Sequence, residues 1–160
     1  MMPWTLLWGL GVLCLLLLAN FWLTPWGVLG LRRLAGGEMQ VDLRLYYRPD
    51  DISRLFLLYG AIGRARFRRM LLLDMVFPAA YGAFVVGLVV TSAAGPWEWA
   101  VGGVAILAAL LDYGENVCLL AVLRRWPEVD APTARWAARF TSAKVLAILT
   151  TVTSLAILKI

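Results

Sequence analysis

Four long apolar stretches alternate with polar stretches along this chain, and their lengths set the architecture. They cover about residues 4–30, 70–94, 97–123 and 136–158. A helix needs about 20 mostly apolar residues to cross the hydrocarbon core of a bilayer. The pattern therefore predicts an all-α polytopic membrane protein, with one membrane domain over residues 1–160 and four transmembrane helices in an antiparallel bundle.

The loop of residues 31–69, between the first and second stretches, carries a periodicity of its own. Four apolar side chains recur in it at helical spacing: Ile52, Leu55, Phe56 and Tyr59. They predict a short amphipathic helix that ends at Gly60 and lies on the cytoplasmic face of the membrane. Its plainest role is a membrane-surface anchor, since amphipathic spacing alone does not indicate a lid. Just before it, apolar and polar residues alternate over positions 41–45, which predicts a short extended segment.

Composition supports the membrane assignment and excludes several kinds of site. Hydrophobic residues make up 62% of the chain and charged residues 16%, against about 45–50% and about 25% in soluble domains. The chain has no histidine, which excludes His-ligated metal or haem centres and triads that use imidazole. Cys14 and Cys118 lie singly in apolar stretches and are expected to act as small apolar residues. No residue pattern predicts a cofactor or a metal site.

The basic residues predict an orientation for these helices. Of the 15 lysines and arginines, all but Lys159 fall at one end of the predicted spans or in the loops at that end. The positive-inside rule then places both long loops in the cytoplasm and both termini outside it. The net charge of +5 therefore reflects membrane orientation, and no nucleic-acid partner is expected.

Ionisable side chains also occur within the predicted spans, where each costs about 2.5–3.5 kcal/mol on insertion scales. The third span carries Asp112, Glu115 and Asn116. Their spacing of i, i+3 and i+4 places all three on one face of a helix. Such a cluster needs a structural or functional reason.

The other three spans add polar residues at about the same depth. In the second span, Asp74 lies four residues before Pro78, where the loss of a backbone donor predicts a kink. Tyr81 follows Asp74 by seven residues and so shares its face. Asn20 of the first span and Lys144 of the fourth reach a similar level. The predicted polar layer is thus built from all four helices.

Two interpretations of this layer stay open. In the structural one, Glu115 pairs with Lys144, Asp74 with Arg69 or Arg139, and Asn20 with Asn116, all as contacts that hold the bundle together. In the functional one, three acids against one deep base indicate a proton-transfer or ligand site, because close carboxylates at low dielectric do not all ionise. The candidate catalytic residues are then Asp112, Glu115 and Tyr81, and the candidate ligand-binding residues are Asp74, Asn116, Asn20 and Lys144.

Several short motifs lie in this region. They are Tyr47 with Asp51, Gly60-x-x-Gly63-Arg64, Asp74-x-x-Phe77-Pro78-x-x-Tyr81, Asp112-x-x-Glu115-Asn116 and Ser142-x-Lys144. The set resembles an uncharacterised family of small four-span membrane proteins of bacteria, over about residues 40–150. The chain departs from that pattern at Tyr59, where leucine is expected, and at Phe67, where tyrosine is expected. The resemblance implies four spans in a bacterial-type inner membrane and no particular activity.

A weaker, architectural analogy is to the emopamil-binding family of sterol isomerases and their relatives. Those proteins also place acids in a membrane cavity formed by a helical bundle. The analogy implies a comparable role for Asp112, Glu115 and Tyr81, without a shared motif.

Three functions fit the sequence. The favoured one is an acidic intramembrane pocket, open to the cytoplasmic half, that binds or transforms a lipid-like or hydrophobic small molecule. A small proton-coupled transporter would use the same acids, but no inverted repeat and no polar path through the outer half are evident. An accessory or scaffold subunit would use stripes of small residues as packing faces, as would a homo-oligomer. The expected partners are membrane lipids, a hydrophobic ligand, and other copies or a larger membrane complex.

Overall fold

Helices dominate the computed structural model, which describes residues 3–92 and 95–158 and has no strand within those ranges. They are α1 (Trp4–Leu23), α2 (Val28–Leu34), α3 (Pro49–Asp74), α4 (Phe77–Thr91), α5 (Pro96–Arg124) and α6 (Ala131–Leu158), with a 3-10 turn at Val41–Leu43. Four helical segments are long and apolar enough to cross a membrane: Trp4–Leu34, Pro49–Thr91, Pro96–Arg124 and Ala131–Leu158. The prediction of an all-α protein with four such segments is confirmed.

The first predicted span, residues 4–30, is two helices. α1 stops before Thr24, which adopts an extended conformation (φ −78°, ψ 158°) because the following Pro25 disfavours helical geometry at that residue. The chain turns and resumes as α2 at Val28. The turn is tight: a Cβ on Gly27 would lie 2.0 Å from the carbonyl oxygen of Phe21, so only glycine fits there.

The second predicted span is interrupted where its proline predicts. α3 ends at Asp74 and α4 begins at Phe77, with Pro78 in its first turn. Because proline has no N–H, the backbone of Asp74 lacks its usual helical donor at this point. Asp74 therefore lies at a helix end.

The amphipathic segment predicted to be a separate helix is the first part of α3. The helix is broken at Gly60, whose φ of +58° and ψ of −169° lie outside the helical region. A Cβ on Gly63 would lie 2.6 Å from the Cβ of Tyr59, so the chain also needs glycine there. Arg64 donates a hydrogen bond from Nη1 to the carbonyl of Phe56 (2.8 Å). The three residues of the Gly-x-x-Gly-Arg motif thus all take part in the break of the helix.

The apolar face of this segment packs against protein. Its four predicted residues are at most 3% exposed: Ile52, Leu55, Phe56 and Tyr59. They share one core with other buried side chains, among them Leu31, Val41, Phe67, Leu119 and Ala134. This face is therefore unavailable to lipid, contrary to the membrane-anchor prediction. The extended segment predicted over 41–45 is also wrong, since a 3-10 turn occupies Val41–Leu43.

The helix packing places α5 at the centre of the molecule. α5 packs against α6 on one side and α4 on another, and α4 packs against α1. Small side chains allow these approaches: Ala105, Ala108 and Ala109 are buried, and a Cβ on Gly82 of α4 would meet the Cβ of Ala109 at 3.5 Å. The face of α5 that carries the acids is thereby enclosed.

Candidate functional site

The three polar residues of α5 lie on one buried face, as their spacing predicts. Asp112, Glu115 and Asn116 are at most 4% exposed. Lys144 of α6 reaches across to two of them, with Nζ donating to Asp112 Oδ1 (3.1 Å) and to Glu115 Oε2. The Glu115–Lys144 pair of the structural interpretation is therefore present. One ammonium group serves two carboxylates.

Asp74 takes a partner different from those the structural interpretation gave it. Asn116 donates a hydrogen bond from Nδ2 to Asp74 Oδ2 (2.9 Å). The guanidinium groups of Arg69 and Arg139 instead lie over tryptophan rings, 4.5 and 4.9 Å from the ring centroids. The predicted pairing of Asn116 with Asn20 is also replaced. Polar contacts thus join α5 to α3 through Asp74 and Asn116, and to α6 through Lys144. We call these contacts together the polar network.

A loop residue that the sequence did not single out as a site residue joins this network. Tyr47 is 2% exposed, and its hydroxyl lies 3.2 Å from the Oγ1 of Thr141. Thr141 in turn donates a hydrogen bond to Glu115 Oε1. Burial first, and then the charge of Glu115, raise the pKa of Tyr47 above its usual value near 10. Tyr47 therefore keeps its proton at neutral pH and can act as a donor.

A cavity of about 260 Å³ opens beside the network. We call it the acidic cavity. Its polar wall consists of Gln40, Asp42, Asp74, Asp112 and Lys144, from the loop, α3, α5 and α6. Its apolar wall includes Leu18, Phe21 and Trp22 of α1, Phe77 of α4 and Ile148 of α6. The cavity thus has an acidic end and an apolar side.

Two loop side chains leave polar atoms unpaired at the acidic cavity. Gln40 is 0% exposed, and neither its Oε1 nor its Nε2 has a hydrogen-bond partner among residues 3–92 and 95–158. Asp42 Oδ1 is buried and likewise lacks a partner within those ranges. Burial raises the pKa of Asp42 to about 6, although the ammonium of Lys144 opposes the rise. Buried polar atoms are rarely left unsatisfied, so these atoms point to a bound molecule or water.

The remaining predicted site residues lie near the cavity without lining it. Glu115 and Asn116 stand behind the wall, where they hold Lys144 and Asp74. Tyr81 packs its ring against Phe77 at 5.2 Å, and its buried hydroxyl has no partner in the described part of the chain. Asn20 is half-buried and is absent from the lining, although residues on either side of it reach the cavity.

Sequence reasoning missed Gln40, Asp42, Tyr47 and Thr141. Thr141 precedes Lys144 by three residues, so helical spacing could have placed both on one face. Tyr47 belongs to one of the short motifs of the family resemblance, but the sequence indicates no role for it there. Nothing local marks Gln40 and Asp42, because their burial depends on the loop folding back onto the helices.

The chemistry of this site is that of carboxyl, ammonium and amide groups. Within the described ranges, no group of three cysteine, aspartate or glutamate side chains is placed to hold a metal ion. No protein-family model matches the chain, and neither a curated protein nor a solved structure shows significant similarity to it. The resemblance to a four-span bacterial family therefore stays a prediction from motifs.

Proposed function

We propose that the four apolar segments cross a membrane as an antiparallel bundle, with both termini outside the cytoplasm of a bacterial-type cell. All lysines and arginines fall at one end of the segments or in the loops at that end, except Lys159 and Lys144, which lies midway along α6. Short connections join α4 to α5 and α5 to α6, and short connections favour antiparallel neighbours. In this orientation the acidic cavity lies in the cytoplasmic half of the bilayer.

We further propose that the acidic cavity binds a lipid-like or hydrophobic small molecule whose polar end is cationic or donates hydrogen bonds. The observation that carries this is the pair of unsatisfied side chains, Gln40 and Asp42, on the wall of a mainly apolar cavity. The lining acids Asp42, Asp74 and Asp112 face one ammonium, Lys144, so acceptors exceed donors. A ligand that donates would satisfy the free acceptors.

The size of the cavity restricts the ligand. Pockets that hold drug-sized molecules measure about 300–1,000 Å³, and this one measures about 260 Å³. The proposed ligand is therefore small, or extends beyond the cavity along the apolar side. Leu18 and Trp22 on that side are 39% and 41% exposed, which leaves a way toward the lipid.

The candidate catalytic roles divide according to access. Asp112 lines the cavity and can exchange a proton with a bound molecule, whereas Glu115 lies behind it and holds Lys144 in place. If the ligand is transformed, Asp112 and Asp74 are the carboxyls that would serve as acid and base. Glu115 and Asn116 are then positioning residues.

Native mass spectrometry of the protein released from mild detergent tests this proposal. We expect a discrete adduct on the wild type that is lost in Asp112→Asn, which changes the polar wall. We expect the same loss in Val145→Phe, which fills the cavity from α6. Glu128→Gln removes an exposed carboxylate in the 125–130 loop and should keep the adduct.

Two results would contradict the proposal. One is the absence of any adduct on the wild type prepared from membranes. The other is an adduct indifferent to both cavity variants. Either result would favour a packing role for the acids, and the oligomer masses in the same spectra would show whether copies associate.

A further inference from the structure

A second, larger cavity of about 750 Å³ lies between α6 and the chain that leads into α3. Three arginines line it, Arg48 from the loop and Arg135 and Arg139 from α6, and we call it the arginine groove. Its inner α6 positions are 142, 143 and 146, whereas the acidic cavity uses 144, 145 and 148. At 100° per residue these sets lie on different sides of α6. The two cavities are therefore separate.

The groove changes from charged to apolar along α6. Arg135 and Arg139 belong to the first three turns of the helix, whereas Ala143 and Leu146 follow further along. At 1.5 Å per residue, the distance from Arg135 to Leu146 is about 16 Å. Leu146 is 67% exposed, so this end of the groove is open to lipid. A charged end and an apolar end on one groove match an amphiphile lying along the helix.

The protein neutralises only part of the positive charge of the groove. Among residues 3–92 and 95–158, no carboxylate lies within 4.0 Å of the guanidinium of Arg48, Arg135 or Arg139. Asp50 also lines the groove, which leaves a formal charge of +2 from three arginines and one aspartate. The first residues of α3 and α6 lie at the groove too, and the positive ends of the helix dipoles add to the potential.

The surroundings place the charged end at the level of lipid headgroups. Arg139 lies over the ring of Trp136 at 4.9 Å, and Trp136 is 52% exposed. Tyr46, on the opposite wall, is 67% exposed. Exposed tryptophan and tyrosine side chains prefer the interface between headgroups and hydrocarbon. The headgroup component that carries several negatively charged oxygens at this level is the phosphate. Guanidinium groups bind phosphate through paired hydrogen bonds.

We propose that the arginine groove binds one anionic phospholipid, with its phosphate against Arg48, Arg135 and Arg139 and an acyl chain along Ala143 and Leu146. Basic pockets between membrane helices are suited to anionic headgroups. The apolar continuation distinguishes a lipid from a free phosphate ester, which would leave that half of the groove empty. This proposal stands independently of the ligand of the acidic cavity.

The test is a lipid titration of the delipidated full-length protein in a neutral detergent, followed by native mass spectrometry. Three probes are compared: phosphatidylglycerol, phosphatidylcholine with the same acyl chains, and glycerol 3-phosphate. We expect one phosphatidylglycerol per chain to bind at least tenfold more tightly than phosphatidylcholine. We expect glycerol 3-phosphate to bind far more weakly than phosphatidylglycerol, because it lacks the acyl chains.

Charge variants then locate the site. Each arginine near an anionic lipid contributes about fivefold in affinity, so the triple variant R48Q/R135Q/R139Q should lose at least tenfold. The matched control R33Q/R68Q/R124Q removes the same charge from exposed positions outside the groove, and its affinity should stay within about threefold of wild type.

The variant Ala143→Trp tests the apolar end, which it fills. It should weaken the binding of phosphatidylglycerol without changing the binding of glycerol 3-phosphate. Circular dichroism and the elution volume of each variant confirm folding, and the single variants Arg48→Gln, Arg135→Gln and Arg139→Gln replace the triple variant if it does not fold.

Three outcomes would overturn the proposal. Equal affinity for the two lipids removes the requirement for negative charge. Equal losses in the two triple variants assign the effect to general surface charge. Glycerol 3-phosphate binding as tightly as phosphatidylglycerol assigns the groove to a free phosphate ester.

Discussion

Replacement of Lys144 by methionine gives the sharpest test of the buried network. Lys144 Nζ contacts both Asp112 and Glu115, and among the described residues no other cation lies within 4.0 Å of either carboxylate. The side chain of Glu115 is 0% exposed, so water cannot replace the ammonium there. Methionine keeps much of the volume of lysine and removes its charge. The variant therefore leaves both carboxylates without a counter-charge, and Glu115 is the more deeply buried of the two.

The cost can be worked out from the protonation of that carboxylate. An unpaired buried carboxyl escapes most of its desolvation penalty by taking up a proton. A glutamate in water has a pKa of about 4.3, so holding it protonated costs about 3.7 kcal/mol at pH 7 and about 1 kcal/mol at pH 5. We expect Lys144→Met to lower the free energy of unfolding by about these amounts. The value at pH 7 agrees with the roughly 3–5 kcal/mol found when one partner of a buried ion pair is removed.

The sign of the pH dependence follows from proton linkage. In the variant the native state holds a proton that the unfolded state releases above about pH 4.3. Its stability relative to wild type should therefore fall by about 1.4 kcal/mol for each unit of pH between 5 and 7. The second-site change Glu115→Gln removes the more deeply buried of the two carboxylates. The double variant should therefore recover most of the lost stability and show a smaller slope.

The assay is SDS-driven unfolding in mixed micelles, followed by tryptophan fluorescence at pH 5, 6 and 7. Arg139→Met is the matched control, since it removes a cation from an exposed position of the same helix. We expect a loss of at most about 1 kcal/mol for the control, mainly from the contact with Trp136. A loss for Lys144→Met that is equal at pH 5 and pH 7, or one that Glu115→Gln fails to restore, would refute the reasoning.

Three further predictions address the loop and the helix break. Burial raises the pKa of Asp42 from 3.8 to about 6. A rise of this size means that the ionised carboxylate lowers the free energy of unfolding by about 3 kcal/mol relative to the protonated form. Stability is therefore lost as the pH rises from about 4 through about 6. Asp42→Asn should raise the SDS midpoint at pH 7.5 and leave it unchanged at pH 4, and equal effects at both would contradict the assignment. Gly60→Ala forces an alanine to a φ of +58° and should lower the free energy of unfolding by about 1–3 kcal/mol in SDS titrations. The control Gly103→Ala lies within a helix and has open space at its Cβ, so it should raise the free energy of unfolding by up to about 1 kcal/mol. Tyr47→Phe removes the hydroxyl beside Thr141 and should cost about 0.5–1.5 kcal/mol in the same titration, with an unchanged midpoint as the contrary result.

The spacing of residues along single helices was enough to predict several features of the site. The i, i+3, i+4 spacing placed Asp112, Glu115 and Asn116 on one face, and that face is buried. Pro78 predicted a kink in the second span, and the helix is interrupted there, between Asp74 and Phe77. These features are local, because the helical period and the missing N–H of proline act within about one turn. Features that depend only on neighbouring residues can therefore be predicted from a single sequence.

The sequence by itself determined the all-helical class and the four segments long enough to cross a membrane, because both follow from the length of apolar runs. Only the tertiary structure decided how the loop is used. Tyr47 and Thr141 are 94 residues apart, and their contact depends on α3 and the loop packing onto α5 and α6. The same packing buries Gln40 and Asp42 beside the acids, and it gives Asp74 the amide of Asn116 in place of an arginine. Such contacts depend on which elements pack against each other, and the spacing of residues within one element does not predict that packing.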